Sequence, residues 1–290
     1  YNYINCFIYI VFIYLFRTLI NFLLTRLITI NSMSSKSYII ETFAGSAESV
    51  KQSEIGGANR VVLCCSLPEG GITPSLGMIK KARELAPNIE ITVMIRPRSG
   101  DFYYSENELQ IMEFDIEQIK ELNCRVNGFV FGCLTQDGQI DTNSMKRLIS
   151  HCSGLTVTFN RAFDMCKDPS KALEDIISIG CHRLLTSGQK IDAFNGKDLI
   201  STLNKQSNGR IVIVPVSGIN DKNILEIQKA TGCSEFQISA STKIQSGMKY
   251  RNKDVSMGGA TAVVINEYAK TLSSAEVIKE TRALVDNMSE

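Results

Sequence analysis

Short apolar segments rich in β-branched residues alternate with amphipathic segments from Tyr38 onward. The strand candidates are Tyr38–Phe43, Arg60–Cys64, Ile91–Ile95, Gly128–Phe131, Leu155–Phe159, Arg183–Thr186, Arg210–Val214 and Glu235–Ser239. Strands of this composition, separated by helices, favour a parallel sheet. Eight such units over about 250 residues favour one closed (β/α)8 barrel. An open doubly wound sheet is disfavoured because no Gly-x-Gly-x-x-Gly motif follows the first strand.

The third strand candidate ends in two cations. Residues Ile91–Tyr104 read ITVMIRPRSGDFYY, so the apolar run finishes on Arg96 and Arg98, and Asp101 follows. Isolated charge is costly in an apolar interior. Two arginines at this point are therefore typical of a strand that opens onto a polar crevice, where α/β proteins place ligand sites. A pair of surface arginines on a loop is the alternative.

Other strand candidates also end on polar or small residues, and in a barrel these ends face one mouth. The candidate mouth residues are Glu41, Cys64, Arg96, Arg98, Asp101, Asn160, Arg161, Asp164, Ser187, Gly188, Gly218 and Ser239. Small turns after strands six to eight expose backbone N–H groups, which suit a phosphate or another small anion. The long break Ser241–Ala260 could fold over this mouth.

These residues also have structural interpretations. Glu41 could pair with an arginine for structure alone, and Cys64 could be a small buried apolar residue. Turns rich in Ser and Gly could be only turns. No nucleophile–base pair, metal triad or cofactor motif is visible, so the catalytic residues are unknown and enzyme activity stays an open question.

Charge and cysteine content exclude some classes of function. The chain of 290 residues has a net charge of +1, so it lacks the basic character of a nucleic-acid-binding protein. Its nine cysteines include no Cys-x-x-Cys pair, which is typical of reduced thiols in a cytoplasmic protein. We therefore expect a cytoplasmic protein with no nucleic-acid partner.

The N-terminal segment differs in composition from the rest. Between Cys6 and Leu24 the only charged residue is Arg17, and such a run is long enough to span a membrane. We divide the chain into a hydrophobic leader, residues 1–32, and a barrel domain, residues 33–290. The leader is either a membrane anchor or a segment foreign to the native protein, in which case Met33 would be the start.

Six motif-like segments follow one another in the body. They are Gly56–Gly77, Met94–Ser105, Val130–Asp141, Phe159–Asp164, Arg183–Gln189 and Ser246–Asn252. In sequence, order and spacing they resemble the CutC copper homeostasis family, from about Tyr38 to Gly259. The resemblance implies a (β/α)8 barrel, a cytoplasmic protein, Cu(I) binding and trafficking, and self-association into a homo-oligomer.

The resemblance also identifies positions where this chain departs from the family. Where the family has a strand-one cysteine, a glutamate, a histidine, a His-Cys pair and an arginine, this chain has Phe43, Val62, Asn160, Gln237-Ile238 and Ser241. Cys64 matches the family cysteine. Cu(I) prefers thiolate and imidazole ligands, so we expect weak copper binding at Cys64. The alternative function is a barrel enzyme, or a relic of one, with a small anionic or phosphorylated substrate at the mouth.

Overall fold

In the computed structural model of the protein, the described residues are 38–252, 254–255 and 266–287. The predicted leader, residues 1–32, lies outside them, so the division into leader and barrel domain stays a prediction. Among the described residues, no helix is long and apolar enough to cross a membrane.

Strands and helices alternate along the described chain. The strands are β1 (Ile39–Ala44), β2 (Arg60–Leu63), β3 (Glu90–Met94), β4 (Gly128–Phe131), β5 (Thr156–Phe159), β6 (Arg183–Thr186), β7 (Val212–Pro215) and β8 (Glu235–Ile238). The helices are α1 (Ala47–Ile55), α2 (Leu76–Leu85), α3 (Glu106–Glu121), α4 (Thr142–His151), α5 (Pro169–Ser178), α6 (Lys197–Ser207), α7 (Ile224–Thr231) and α8 (Ala275–Asp286). All eight predicted strands are present, with ends shifted by a residue or two.

The eight strands form one parallel sheet in the order β7-β6-β5-β4-β3-β2-β1-β8. Strands β7 and β8 are the two ends of this sheet and lie side by side. No ladder of backbone hydrogen bonds is described between them. Beyond this seam, the Ser239 N–H donates to the Ile219 carbonyl at 2.7 Å. The predicted (β/α)8 barrel is confirmed, with β7 and β8 forming its seam.

A two-stranded hairpin follows the barrel strands, where the sequence predicted only a loop. Strand β9 (Ser241–Gln245) pairs antiparallel with β10 (Ala269–Ser273). Every residue of β9 is exposed. A strand without a buried face has no alternation of polar and apolar residues, so the sequence carried no signal for it.

Short polar side chains begin most helices. The Ser105 side chain accepts from the Glu108 N–H, and the Glu108 carboxylate accepts from the Ser105 N–H at 2.7 Å. This reciprocal capping box satisfies two otherwise free donors at the start of α3. Asp168, directly before Pro169, caps α5 by accepting from the N–H groups of Ser170 and Lys171.

Apolar side chains form two separate cores. The larger core lies between the barrel and its helices and includes Ile40 and Phe129. The smaller core lies inside the barrel and includes Val62, Met94 and Val214. The strand residues of the smaller core alternate with those of the larger one, because successive side chains on a strand face opposite sides of the sheet.

The barrel interior also contains a buried ionic layer centred on Arg60. The Arg60 side chain is 2% exposed and donates to the carboxylates of Glu41 and Glu235. Arg183 Nε donates to the same Glu235 carboxylate at 3.1 Å. Burial alone would lower the pKa of Arg60, but Glu41 and Glu235 together raise it. The carboxylates thus keep Arg60 charged within the barrel.

Replacing Arg60 tests the importance of this layer. We expect Arg60→Ala to lower the free energy of unfolding by about 3–5 kcal/mol, because Glu41 would remain as an uncompensated buried charge. Urea unfolding measures the change. The control is Lys81→Ala, which removes an exposed ion pair with Glu84 and should have little effect. Equal losses in the two variants would contradict a structural role for the layer.

Candidate functional site

A cavity of 690 Å³ opens at the carboxyl ends of the barrel strands. Its charged lining includes Arg96, Arg161 and Asp164. Its apolar lining includes Met94, Leu185 and Val216, which belong to the core inside the barrel. The cavity therefore lies above the inner apolar core, at the position where (β/α)8 barrels place their sites.

The cavity brings together part of the predicted set of mouth residues. Those that line it are Arg96, Asn160, Arg161, Asp164, Gly218 and Ser239. Those absent from its lining are Glu41, Cys64, Arg98, Asp101, Ser187 and Gly188. The structure gives a physical reason for each of these absences.

Arg96 follows β3 and is held by backbone carbonyl groups. Its Nη1 donates to the carbonyls of Glu69 and Gly71 at 2.8 and 3.1 Å, and its Nη2 donates to the Gly100 carbonyl at 2.6 Å. Its guanidinium carbon lies 4.8 Å from the centre of the Phe102 ring. The residue is 4% exposed, and no described carboxylate forms a salt bridge with it. Arg96 is therefore a nearly buried cation whose hydrogen-bond acceptors are all neutral.

Two buried polar groups at this point lack a hydrogen-bond partner, one on Arg96 and one on Tyr104. Neither Arg96 Nε nor the Tyr104 hydroxyl makes a hydrogen bond of ordinary geometry with a described residue. Burial raises the pKa of Tyr104, although the charges of Arg96 and Arg98 act in the opposite direction. The phenol thus stays protonated at neutral pH and supplies no negative charge to Arg96.

Arg161 and Asp164 form a pair on the turn after β5. Arg161 Nε donates to Asp164 Oδ2 at 2.7 Å, and Arg161 Nη2 donates to Ser187 Oγ at 2.8 Å. Asp164 Oδ1 also accepts from Thr186 Oγ1 at 2.6 Å and from the N–H groups of Ser187 and Gln189 at 3.1 and 3.2 Å. The carboxylate of Asp164 therefore occupies the anion-binding turn after β6.

This contact corrects the expectation for Ser187 and Gly188. Their turn binds an internal carboxylate, which leaves no place for an external anion. A Cβ atom at Gly188 would lie 2.2 Å from the Gly196 carbonyl oxygen, so the glycine is needed for close backbone packing.

The turn after β7 keeps its donors free. Ser217 and Gly218 have positive φ angles of 74° and 72°, and both line the cavity. Within the described part of the chain, their backbone N–H groups have no hydrogen-bond acceptor. A serine in the left-handed region costs about 1–2 kcal/mol. Such strain is common at ligand sites.

Arg98 and Asp101 stabilise a loop and do not line the cavity. Arg98 donates to Glu108 Oε1 at 2.5 Å, to Asp101 Oδ1 at 3.0 Å and to the Tyr103 carbonyl at 2.9 Å. These bonds join the loop after β3 to the first turn of α3. Arg98 and Arg96 are two residues apart, but the strand ends at Met94, so the alternation that would put them on one face has already stopped.

Glu41 lies deeper than predicted. Its carboxylate pairs with Arg60 and accepts from Gln237 Nε2 at 2.8 Å. Strand β1 continues three residues beyond Glu41, to Ala44. The residue therefore belongs to the ionic layer in the middle of the barrel, and Gln237 lines the cavity in its place.

Cys64 is enclosed and protonated. Its thiol donates to the Ala44 carbonyl at 3.5 Å, and burial raises its pKa well above the ordinary value. A Cβ atom at Gly71 would lie 2.6 Å from Phe43 Cζ and 3.2 Å from Cys64 Sγ, so Gly71 packs directly on both residues. The described residues contain no group of three or more His, Cys, Asp or Glu side chains that could hold a metal ion. The side chains around Cys64 do not fit a copper site.

Sequence reasoning missed several residues of the cavity. Phe102, Tyr103 and Tyr104 follow Arg98 in the sequence, but the contact between Phe102 and Arg96 was not predicted. Met94 is the last residue of β3 and belongs to the core inside the barrel, so its place at the carboxyl end of a strand could have identified it. Thr271 and Ser273 also line the cavity. They lie on the hairpin, for which no sequence signal existed.

The fold and this cavity define a TIM-barrel protein with a polar mouth. The sequence model of the CutC family matches residues 38–242. The chain therefore belongs to this family. A "family protein CutC" of Parabacteroides distasonis is 50% identical over 241 residues, which are 83% of this chain and 98% of the relative. The human "Copper homeostasis protein cutC homolog" is 40% identical over 255 residues, which are 88% of this chain and 92% of the relative.

A solved structure supports the same assignment. The putative copper homeostasis protein CutC from Streptococcus agalactiae superposes with a TM-score of 0.66 at 32% sequence identity. The superposition covers 69% of this chain and 97% of that protein.

Removing the charge of Asp164 tests the contacts after β6. We expect Asp164→Asn to lower the free energy of unfolding by about 2–3 kcal/mol, because an amide would lose charge-assisted bonds and present its own N–H groups to donors. Thermal and urea unfolding measure the loss. Asp101→Asn, at a more exposed carboxylate, is the control and should change stability little. A neutral effect at Asp164 would show that its hydrogen bonds contribute nothing net to stability.

Proposed function

We propose that the chain binds a small phosphorylated or carboxylated molecule at the mouth of the barrel. The observation that carries this proposal is Arg96, a cavity-lining cation that is nearly buried and forms no salt bridge with a described carboxylate. A buried charge requires compensation. A bound anion would supply the negative charge that the described surroundings of Arg96 lack.

Burial distinguishes Arg96 from the other charged groups of the cavity lining. Arg161 is paired with Asp164. Glu69 also lines the cavity and balances the formal charge of Arg96, but Glu69 is exposed and forms no salt bridge with Arg96 in the described part of the chain, whereas Arg96 is nearly buried. Guanidinium groups donate to phosphate and carboxylate oxygens. The donors without a described acceptor are Nε and one N–H of Nη2 on Arg96, and Nη1 of Arg161.

The turn after β7 adds neutral donors. The N–H groups of Ser217 and Gly218 lie at the strand end where (β/α)8 barrels often bind phosphate. The described cavity lining contains no histidine, cysteine or lysine. The proposal is therefore a binding function, and the question of a catalysed reaction stays open.

Copper handling is the second candidate function. The human relative is named a copper homeostasis protein, and Cys64 is retained. The eight described cysteines are free, which supports the proposed cytoplasmic location. Cu(I) would be the cargo of such a protein, and self-association, implied by the resemblance, belongs to the same candidate. Two observations disfavour tight Cu(I) binding: burial keeps the Cys64 thiol protonated, and the described residues contain no group of three or more His, Cys, Asp or Glu side chains that could hold a metal ion.

Inorganic phosphate is the first probe of the anion site. At ten times its Kd, phosphate should raise the melting temperature by about 3–6 °C, since it binds only the folded state. Sulfate should act similarly. Arg96→Ala should remove the shift while leaving the barrel folded, whereas Arg210→Gln, at an arginine outside the cavity, should keep it. The absence of any shift in the parent at millimolar phosphate would refute the proposal.

A gain-of-function substitution tests the copper candidate. We expect Phe43→Cys to raise the affinity for Cu(I) by about tenfold or more, because a second thiol beside Cys64 would complete a two-sulfur site. Competition against a Cu(I) chelator measures the affinities. The control is Phe102→Cys, on the loop after β3. Equal, tight affinity in the parent and in Phe43→Cys would show that Cys64 needs no partner on β1.

A further inference from the structure

One face of the hairpin base presents hydroxyl groups to the cavity. Ser239, Ser241, Thr271 and Ser273 all line it. Ser241 is the register partner of Ser273, and Thr271 lies two positions before Ser273 on β10. These three residues therefore share one face of the strand pair. Ser239 precedes β9 and joins them in the cavity lining. We call these four residues the hydroxyl face.

The side chains of the hydroxyl face are available to a ligand. Among the described residues, none of their hydroxyl groups makes a hydrogen bond, although the Ser273 N–H donates to Ser49 Oγ at 3.2 Å. By contrast, the Ser217 hydroxyl elsewhere in the lining donates to the Ile191 carbonyl at 3.1 Å. Each free hydroxyl can both donate and accept, so the face suits groups that do the same.

The hydroxyl face and the cations occupy different sides of the mouth. Arg96 follows β3 and Arg161 follows β5, whereas the hydroxyl face follows β8. In the strand order, β1 and β2 separate β8 from β3. Apolar side chains lie between the two sides, among them Phe43, Leu185 and Val216. The cavity is thus cationic on one side, hydroxyl-bearing on another and apolar between them.

The size of the cavity shows that an inorganic anion would fill only part of it. Its volume of 690 Å³ lies within the range of about 300–1,000 Å³ typical of pockets for organic ligands. An anion at Arg96 would leave the hydroxyl face without a partner. A carbon chain that extends from the anion could cross the apolar surface and reach that face.

We infer that the ligand is a polyhydroxylated organic anion, in the class of sugar and polyol phosphates. This inference rests on the proposed anion site. It adds the chemical class of the organic group that carries the acidic group. The acidic group binds Arg96. The carbon chain packs on the apolar lining, and its hydroxyl groups exchange hydrogen bonds with the hydroxyl face.

A matched pair of ligands tests the inference. D-ribitol 5-phosphate and n-pentyl phosphate have the same anion and the same number of carbons and differ only in the hydroxyl groups. Isothermal titration of the full chain should show about tenfold tighter binding of ribitol 5-phosphate, since two or more hydrogen bonds would be lost with the alkyl ligand. Inorganic phosphate is titrated in parallel as the measure of the anion site alone.

Variants locate the source of this preference. In the double variant Ser239→Ala and Thr271→Val, the preference for ribitol 5-phosphate should fall to about twofold, while the affinity for inorganic phosphate stays unchanged. The matched control is Ser150→Ala with Thr202→Val, which removes two hydroxyls from helices outside the cavity and should keep the full preference.

The possible failures are distinguishable. Equal or tighter binding of n-pentyl phosphate by the parent would overturn the inference. If inorganic phosphate still binds in that case, the proposed anion site is retained. An unchanged preference in the double cavity variant would overturn the role of the hydroxyl face. If neither organic phosphate nor inorganic phosphate binds, the proposed function fails together with the inference.

Discussion

The buried guanidinium of Arg60 constrains the barrel more than any other described group. Its carboxylate partners come from β1 and β8, and Arg183 on β6 contacts the same Glu235. The pair of Arg183 and Glu235 spans the seam between β7 and β8, where no described ladder joins the strands. A slip of β1 by one residue would turn Glu41 out of the interior and leave Arg60 unpaired. The ionic layer therefore fixes strand register and joins the two ends of the sheet at once.

The layer also determines how charge is distributed at the mouth. The inner apolar core, including Val62 and Val214, lies between the ionic layer and the cavity, so the charges at the mouth must be compensated locally. The guanidinium of Arg161 is compensated by Asp164, and that of Arg98 by Glu108 and Asp101. Arg96 has only neutral acceptors. The three arginines look alike in the sequence but differ in their ion pairs. Arg96 is the one without a described carboxylate partner, and it is also nearly buried at the cavity.

The eight barrel strands could be predicted because each is apolar, short and separated from the next by a helix. The convergence of Arg96, Arg161 and Asp164 followed from the barrel itself.

The depth of Glu41 could not be predicted, because it depends on where β1 ends, and an apolar strand gives no sharp end. The role of Arg98 depends on the path of a loop, where the period of two no longer applies. The occupation of the β6 turn by Asp164 is a tertiary contact between residues more than twenty positions apart. Strand β9 is exposed along its whole length, and a strand without a buried face has no alternating pattern in its sequence.

The departures from the family pattern are concentrated at the cavity. Phe43, Asn160, Gln237, Ile238 and Ser241 all line it, and of the departures noted in the sequence only Val62 lies in the inner core. Each of the first three is supported by local packing: Phe43 lies against Gly71, Asn160 Oδ1 accepts from the Ala162 N–H at 2.9 Å, and Gln237 donates to Glu41. Thiol and imidazole groups bind Cu(I), whereas amide and hydroxyl groups form hydrogen bonds and are poor ligands for it. Of the positions where the resemblance implies soft ligands, Asn160 and Gln237 thus bring amide groups to the cavity lining, whereas Phe43 and Ile238 bring apolar side chains.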